Sequence, residues 1–542
     1  MSSYILFLLL GLGAGAVYAM LALGLVLKYR SAGVVDFSHG AVAMFIAYVY
    51  LGLREDGSLQ FPWIGIPHSL TITGNSMSAA PAIVIALVYA ALLGVILYVL
   101  VFRPLRQATP LTRVCASVGV MLLLQAVAVL NYGTTAKSTP TILPSSPLSI
   151  AGITVPVDRF WFAGIMVVIA TTLALVYRYT RFGLATTATA ENERGAALMG
   201  LSANRIGTGN WVIATVLAGI AGILIAPIST VDPTSYTLFI VPALGVALVA
   251  GFRSFAIVAI AGLVLGAFQS EMTKLLTVWT WLPQQGLAQA IPFIFIVVAM
   301  TLITRGLAAR GSLGEAHNPS LGLPQRPYLT TLLCFVAGVI VLLVLHGSLL
   351  AAFMSSIVFV CLSLSLVVLT GYVGQVSLAQ MSFAGFSAFM LTHISGLAFP
   401  LDMLVASLLA VPLGLLIGLP ALRLRGVNLA VVTLAAAFAI DALLFNSTGF
   451  SGGLAGRNVG SPTLFGWDIG IAKGNAYPRV IFGVFLLVVV CLVGLLVARL
   501  RRAPAGRMLI AVRSNERAAA AAGINVAAAK MLGFGLSAFI AG

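Results

Sequence analysis

Residues 181–222 read RFGLATTATAENERGAALMGLSANRIGTGNWVIATVLAGIAG, a polar segment feeding an apolar run in a chain that is otherwise almost continuously apolar. A second copy runs from Gly506 to Gly542 as GRMLIAVRSNERAAAAAGINVAAAKMLGFGLSAFIAG. Asn192-Glu193-Arg194 matches Asn515-Glu516-Arg517, Ala196-Ala197 matches Ala519-Ala520, and Gly200 matches Gly523, with the same Glu-to-Gly spacing of seven. Alanine pairs recur by chance in an Ala-rich chain, so the weight rests on Asn-Glu-Arg and its distance to the glycine. A polar loop duplicated between apolar spans points to a duplicated docking or gating device.

Composition fixes the environment of these loops. At 61% hydrophobic and 8% charged over 542 residues, the chain reads as an all-α polytopic membrane protein. The formal charge of +16 would suggest nucleic acid in a soluble chain. Here Lys and Arg collect in short loops, the pattern of segments retained in the cytoplasm against anionic lipid, and no nucleic-acid partner is expected. Cys115, Cys334, Cys361 and Cys491 lie in or at apolar runs without metal or redox spacing, so they read as free packed thiols and no metal site is expected.

Outward from the first loop, spans fit at about 4–28, 34–53, 79–102, 114–132, 160–177, 210–229, 239–252, 255–275 and 287–304. The first is too long for a signal-peptide core and carries Gly11 and Gly15 at the small-xxx-small spacing of close helix crossings. The 239–252 piece is short and pairs with 255–275 as a hairpin around Arg253. Arg103, Arg106 and Arg113 share one loop, Arg178, Arg181, Arg194 and Arg205 another, and Arg305 and Arg310 a third. The intervening loops 54–78, which also holds His68, and 133–158 carry only Arg54 and Lys137, so the basic loops belong inside. Residues 305–327 form a Gly/Pro/Ser-rich linker between a first half, 1–304, and a second, 328–542. In the second half spans fit at about 328–346, 349–370, 372–397, 400–419, 428–444 and 478–498, with another beginning near Met531. The basic loops 421–427, with Arg423 and Arg425, and 499–530 fall inside. Ten spans then separate the two Asn-Glu-Arg loops, which places both on one face and makes the halves a parallel repeat, about nine and six-plus helices, rather than an inverted one. A second register, Leu21, Leu23, Leu25 and Val26 against Leu362, Leu364, Leu366 and Val367, sets Asp36-to-Gly40 opposite Ser377-to-Met381.

At these residues the chain resembles the two permease subunits of a branched-chain amino-acid ABC importer, the leucine/isoleucine/valine type, fused head to tail. The first half carries YAMLALGLVLKY (18–29), VVDFSHGAVAMFIAY (34–48), FRPLR (102–106) and LGVALVAGFRSFAIVAIAGLVLGAFQSEM (244–272). The second carries LSLVVLTGYVGQVSLAQMSFAGFSAF (364–389), ALRLRGVNLAVVTLA (421–435), TGFSGGLAG (448–456) and RSNERAAAAAGI (513–524). The second subunit usually has His where Gln380 stands, and its glycine-rich outer loop is altered around Phe450-Ser451. Gly542 aligns with Gly219, after which the first half continues with three more spans, so the second half is expected to be incomplete at its C-terminus, as a cut chain or an incomplete gene product.

The resemblance implies transport of branched-chain or related amino acids through the plasma or inner membrane, with two cytoplasmic ATPase subunits and an extracytoplasmic substrate-binding protein as partners. There is no G-x-x-x-x-G-K-[ST] phosphate loop; Lys137-Ser138 follows Ala136 rather than glycine. No cofactor is therefore expected in this chain, ATP and Mg belonging to the partners, and no catalytic residue. Residues 185–205 and 508–528 would be coupling helices, each a short amphipathic segment. Glu191, Asn192, Glu193 and Arg194, with Asn515, Glu516 and Arg517, belong to these loops; Glu193 and Glu516 would sit near the helix starts, where a carboxylate meets the positive dipole end, and Gly200 and Gly523 would end the helices. The plain alternative is a loop charged only because it is wet.

For the translocation path the candidates are Asp36, Ser38, His39 and Gly40, with Gln375, Ser377, Gln380 and Ser382 opposite, as two pseudo-symmetric broken helices lining a cavity. Against this, Asp36 could simply cap a helix beginning at Phe37. Asn210, Gln269, Glu271 and Asp441 are further polar residues at membrane depth, where structural contacts are the commoner role; His346 and His393, at span ends, carry no assignment. A urea or short-amide importer shares these motifs. An ion-coupled secondary transporter would want an ionisable midplane relay, of which the spans offer little beyond Glu271 and Asp441. A non-transporting scaffold gives no reason for the duplicated loop.

Overall fold

A backbone in lipid has no water to satisfy it, so spans must close their own hydrogen bonds as helices. The computed structural model describes residues 2–60, 69–302 and 325–542, except 34, 73, 109, 145, 151–152, 280, 283, 395–396, 425, 454–455, 465 and 475. Among the described residues eleven helices are long and apolar enough to cross a membrane. The chain divides into two compact units, Met1–Glu315 and Ala316–Gly542. Most of the expected linker 305–327, with Arg305 and Arg310, lies outside the described residues, as do His68 and Arg425.

The first unit runs α1 (Ser2–Ala32), α2 (His39–Glu55), α3 (Ala79–Leu97), α4 (Pro110–Tyr132), α5 (Asp158–Tyr179), α6 (Arg181–Glu191), α7 (Glu193–Leu198), α8 (Ala203–Ile225), α9 (Ile240–Val249), α10 (Phe255–Val278) and α11 (Leu287–Leu302). Two antiparallel hairpins, Ser58–Gln60 with Ser69–Thr71 and Pro147–Ile150 with Ile153–Pro156, cover loops between spans. Residues 16–27 of α1 and nearly all of α2 are buried, so these two helices, apolar all round, form the core and the others surround them. Small residues bring α1 against α10: a Cβ on Gly11 would lie 2.5 Å from the Gly266 carbonyl, and one on Gly15 2.6 Å from that of Gly262. Helix α9 has 10 residues, about 15 Å, half the roughly 30 Å apolar core. It turns at 250–254 into α10, where the Ser254 side chain accepts from the Ile257 amide.

The second unit runs α12 (Pro327–Val344), α13 (Gly347–Leu366), α14 (Gln380–His393), α15 (Leu401–Gly418), α16 (Val427–Ile440), α17 (Thr448–Ser451), α18 (Val480–Arg502), α19 (Pro504–Ser514), α20 (Glu516–Ala521) and α21 (Val526–Ala541). One short hairpin pairs Thr463–Leu464 with Trp467–Asp468. Here the structure departs from the expected span 372–397. Helix α13 continues through a π-helical turn, Val367–Val373, the chain then leaves helical geometry over 374–379, and α14 starts at Gln380.

Candidate functional site: two broken helices and two capped loops

Both units interrupt their core helix at the same place. In the first, α1 ends and Gly33 takes φ +64 before α2 begins at His39; in the second, Gly374 takes φ +77 before α14 begins at Gln380. A left-handed residue reverses the backbone at a helix end, and glycine does so without a Cβ clash. The leucine register places Gly33 opposite Gly374, so the two breaks correspond residue by residue.

Different chemistry holds them. In the first break Asp36 does not cap a helix starting at Phe37. Ser38 is the N-cap, and Asp36 Oδ1 accepts from the Ser38 amide at 2.9 Å and from its hydroxyl at 2.6 Å. The other carboxylate oxygen meets Lys28 Nζ at 2.6 Å, both side chains fully enclosed, and the ammonium lies 4.4 Å from the centre of the Trp211 ring. Lys28 was missed in the sequence because a lysine near a span end reads as snorkelling to the interface. In the second break Leu369 and Ser377 stand where Lys28 and Asp36 do. Ser377 Oγ accepts from the Ala379 amide at 3.3 Å, Thr433 Oγ1 from the Leu378 amide at 3.0 Å, and the Leu369 carbonyl from the Gln375 amide at 3.1 Å. One break is locked by an ion pair, the other by neutral hydrogen bonds.

The first helical residue after each break is polar and buried. His39 is fully enclosed, its imidazole against the Leu21 backbone. Gln380 Oε1 accepts from Ser365 and Ser537 hydroxyls, each at 3.3 Å, while its Nε2 has no partner. Ser38, Gln375, Ser377 and Ser382 are buried within their own units, and Gly40 lies against the Thr237 carbonyl, 2.4 Å from where its Cβ would be. Of the membrane-depth polar residues, Asn210 is satisfied by the Tyr177 hydroxyl, Thr186 Oγ1 at 3.1 Å and the Ile206 carbonyl at 2.8 Å. Gln269 accepts from Tyr18, and Asp441 from Asn446. Glu271 Oε1 is buried without a partner.

The two Asn-Glu-Arg loops are built alike, and each is a pair of helices rather than the single short helix expected. Asn192 ends α6 and caps α7, its Oδ1 accepting from the Gly195 amide at 2.9 Å; Asn515 ends α19 and caps α20, accepting from the Arg517 and Ala518 amides at 3.0 and 3.1 Å. Glu193 and Glu516 are the first residues of α7 and α20. Each short helix closes on a left-handed glycine: Gly200 and Leu201 donate to the Ala197 and Ala196 carbonyls, Gly523 and Ile524 to those of Ala520 and Ala519, all at 3.0 Å. Each glutamate is tied by a cation, Glu193 to Arg106 at 2.7 Å and Glu516 to Lys530 at 3.1 Å. Lys530 also donates to the Ala421 carbonyl, so in both units the pair reaches the segment after a preceding span, around 104–107 or 421. Glu191, Arg194 and Arg517 are exposed, and at the tip of the first loop so are Leu198, at 90%, and Met199, at 82%. Two bare apolar side chains on a wet loop went unread because neither breaks a periodic pattern.

The family model described as "Branched-chain amino acid transport system / permease component" matches residues 7–300 and again 348–542. Among curated proteins, the High-affinity branched-chain amino acid transport system permease protein LivH of Salmonella typhimurium is 24% identical over 307 residues, 55% of this chain and 94% of that protein. LivM of Escherichia coli is 34% identical over 208 residues, 34% of this chain; the match spans about half, 49%, of LivM. BraD of Pseudomonas aeruginosa is 24% identical over 265 residues, 48% of this chain and 83% of BraD. No solved structure matches. With its apolar helices, the chain is a multi-pass protein of the plasma membrane. The two successive matches, each over one of the two units, make the chain a member of the branched-chain amino acid transport system permease family, with two permease components in one polypeptide.

Proposed function

We propose that the chain is the transmembrane permease of an ABC importer that carries branched-chain amino acids inward, driven by two separate ATPase subunits seated on α6–α7 and α19–α20. One observation carries the docking assignment: the capped, cation-tied, glycine-closed helix pair occurs in both units with the same Asn, Glu and Gly at its corners, the cation being Arg106 in one and Lys530 in the other. A loop that is polar only because it is wet has no need to repeat an Asn cap, an ion pair and a Schellman closure. Leu198 and Met199 supply the apolar anchor that a protein interface needs at its centre.

The residues proposed to meet the amino acid lie at the break of each unit: Asp36, Ser38, His39 and Gly40 in the first, and Gln375, Ser377, Gln380 and Ser382 in the second. Non-helical backbone at membrane depth is tolerated where protein or water meets it, and each break is followed by a buried polar side chain, His39 or Gln380. The sequence-based division into 1–304, a linker 305–327 and 328–542 is part of this reading, as is an external binding protein that delivers the substrate.

The test is a pull-down of the full chain with the candidate ATPase subunits, wild type against Glu193→Ala plus Glu516→Ala, in membranes where both insert equally. Loss of the complex or of substrate-stimulated ATP hydrolysis supports the assignment. Undiminished binding and undiminished stimulation would return both loops to simple solvated connectors.

A further inference from the structure

The helix before each Asn cap is fastened differently in the two units. In the first, α6 is joined to its flanking spans through Asn210, which links Thr186 on α6 to Tyr177 on α5 from its own place on α8. The repeat register puts Leu509, Leu500 and Gly533 at those three positions in the second unit, so that network has no polar counterpart there. Instead, Leu509 and Val512 on α19 pack with Val368, Tyr372 and Val373 at the end of α13. Arg513 reaches further: its Nη1 donates to the Gly371 carbonyl at 2.6 Å, and its Cγ would lie 2.9 Å from a Cβ on Gly374, the residue that opens the break. Ala190 stands at the position of Arg513 in the first unit. Around this contact the loop and the break are not packed solid; a cavity of about 330 Å³ lies between them, lined by Gly374, Gln375, Gly426 and 512–516.

We propose that Arg513 is a positioning residue that ties the cytoplasmic helix α19 to the break before α14, so that the second break follows the movement of its loop through this contact, while in the first, where Ala190 stands at that position, Lys28 and Asp36 hold the break instead. The proposal rests on the reading of α19–α20 as an ATPase-docking loop. It adds that the two halves of the permease respond unequally. A guanidinium on a carbonyl that already ends a helix is the stronger kind of hydrogen bond, and here it adds to the neutral bonds at the Gln375, Leu378 and Ala379 amides.

The experiment is amide hydrogen exchange on the full chain in lipid nanodiscs, comparing wild type, Arg513→Ala, Arg513→Lys and, as a control, Arg507→Ala, which removes an exposed cation from the same helix. The expected result is roughly tenfold faster exchange over 371–379 in Arg513→Ala, with 33–40 unchanged, Arg507→Ala like wild type, and Arg513→Lys recovering protection through its ammonium. Unchanged exchange over 371–379, an equal rise in Arg507→Ala, or no recovery with lysine would overturn the strut. Because no ATPase is present, failure of the docking assignment leaves this measurement intact. In the assembled importer Arg513→Ala should then hydrolyse ATP while transport falls at least tenfold; transport matching wild type would also overturn it.

Discussion

Lys28 Nζ and Asp36 Oδ2 are 2.6 Å apart with no exposure of either side chain, and the residues at the same places in the second unit, Leu369 and Ser377, are neutral. A buried pair need not stabilise relative to apolar replacements, but breaking it leaves a lone charge in low dielectric. Asp36→Ser or Lys28→Leu alone should therefore lower stability by about 3–5 kcal/mol. Lys28→Leu with Asp36→Ser, which installs the second unit's pair, should recover most of it. Thermal unfolding in detergent for the four proteins measures this. Additive losses in the double variant would mean that the two groups do not interact.

The Asn caps set the shape of both Asn-Glu-Arg loops. Asn192→Ala or Asn515→Ala removes the acceptor for the first amides of α7 or α20 and should cost about 1 kcal/mol of local stability. Asn→Asp retains the acceptor and adds charge at the positive helix end, so it should be neutral or mildly stabilising. Exchange at the Gly195 and Ala518 amides reports the change directly. If alanine leaves those amides as protected as in wild type, the side chains are not what defines the kinks.

Much of this architecture was legible from residues whose chemistry is local. Asn192 and Gly200 repeat as Asn515 and Gly523, so spacing alone located both loops and their glycine ends, while the Asn caps showed only in the structure. The basic loops and the short pieces around Arg253 followed from lipid, which forbids both charge and irregular backbone. What escaped was set by partners distant in sequence. Lys28 and Trp211 meet through packing of α1 on α8, and Arg513 meets Gly371 across 142 positions. Asp36 looked like a cap because its residue type and place suit one; the enclosed cation that claims its second oxygen belongs to the preceding helix.

Helix α1 crosses α10 with backbone in contact. A Cβ on Gly266 would lie 2.3 Å from the Gly15 amide nitrogen and 2.5 Å from the Gly11 carbonyl, with no flexible side chain to yield. Gly266→Ala must separate the two helices, and Gly266→Leu more so. We expect losses of about 1–3 kcal/mol for alanine, read as a lower unfolding midpoint. Gly164→Ala, where nothing lies within 4 Å of the added carbon, is the matched control. Equal behaviour of the two variants would contradict the close crossing.

On the loop between α8 and α9, Asp232 Oδ1 accepts from the Thr234 amide and hydroxyl at 2.9 and 2.7 Å and from the Ser235 amide at 2.7 Å. Burial pushes this carboxyl up, but the hydrogen bonds from Thr234 and Ser235 together outweigh it and hold it below its ordinary value near 3.8. A carboxylate depressed in the folded state adds stability that is present above the unfolded value and is lost as pH falls through the folded one. Wild type should thus lose its advantage over Asp232→Asn only below pH 3.8, in unfolding midpoints taken from neutral pH downward. An advantage lost already near neutral pH would place the cause elsewhere.

His39 and Gly24 offer the sharpest exchange between units. The imidazole occupies the space a side chain on Gly24 would take, with Nε2 2.4 Å from the Cβ position, and the second unit has Gln380 and Ser365 there, joined through Ser365 Oγ at 3.3 Å. Gly24→Ser should clash with the ring and destabilise by about 1–3 kcal/mol. His39→Gln alone should be milder, since it replaces one buried polar group by another. Together they rebuild the hydroxyl–carboxamide contact, so the pair should be less damaging than the sum of the singles by about 1 kcal/mol or more in a double-mutant cycle. Transport by the double variant then separates two roles for the imidazole. Retained uptake would mean that the position needs only a buried polar group of suitable size. Lost uptake in a stable, correctly inserted protein would mean that the first break requires histidine itself.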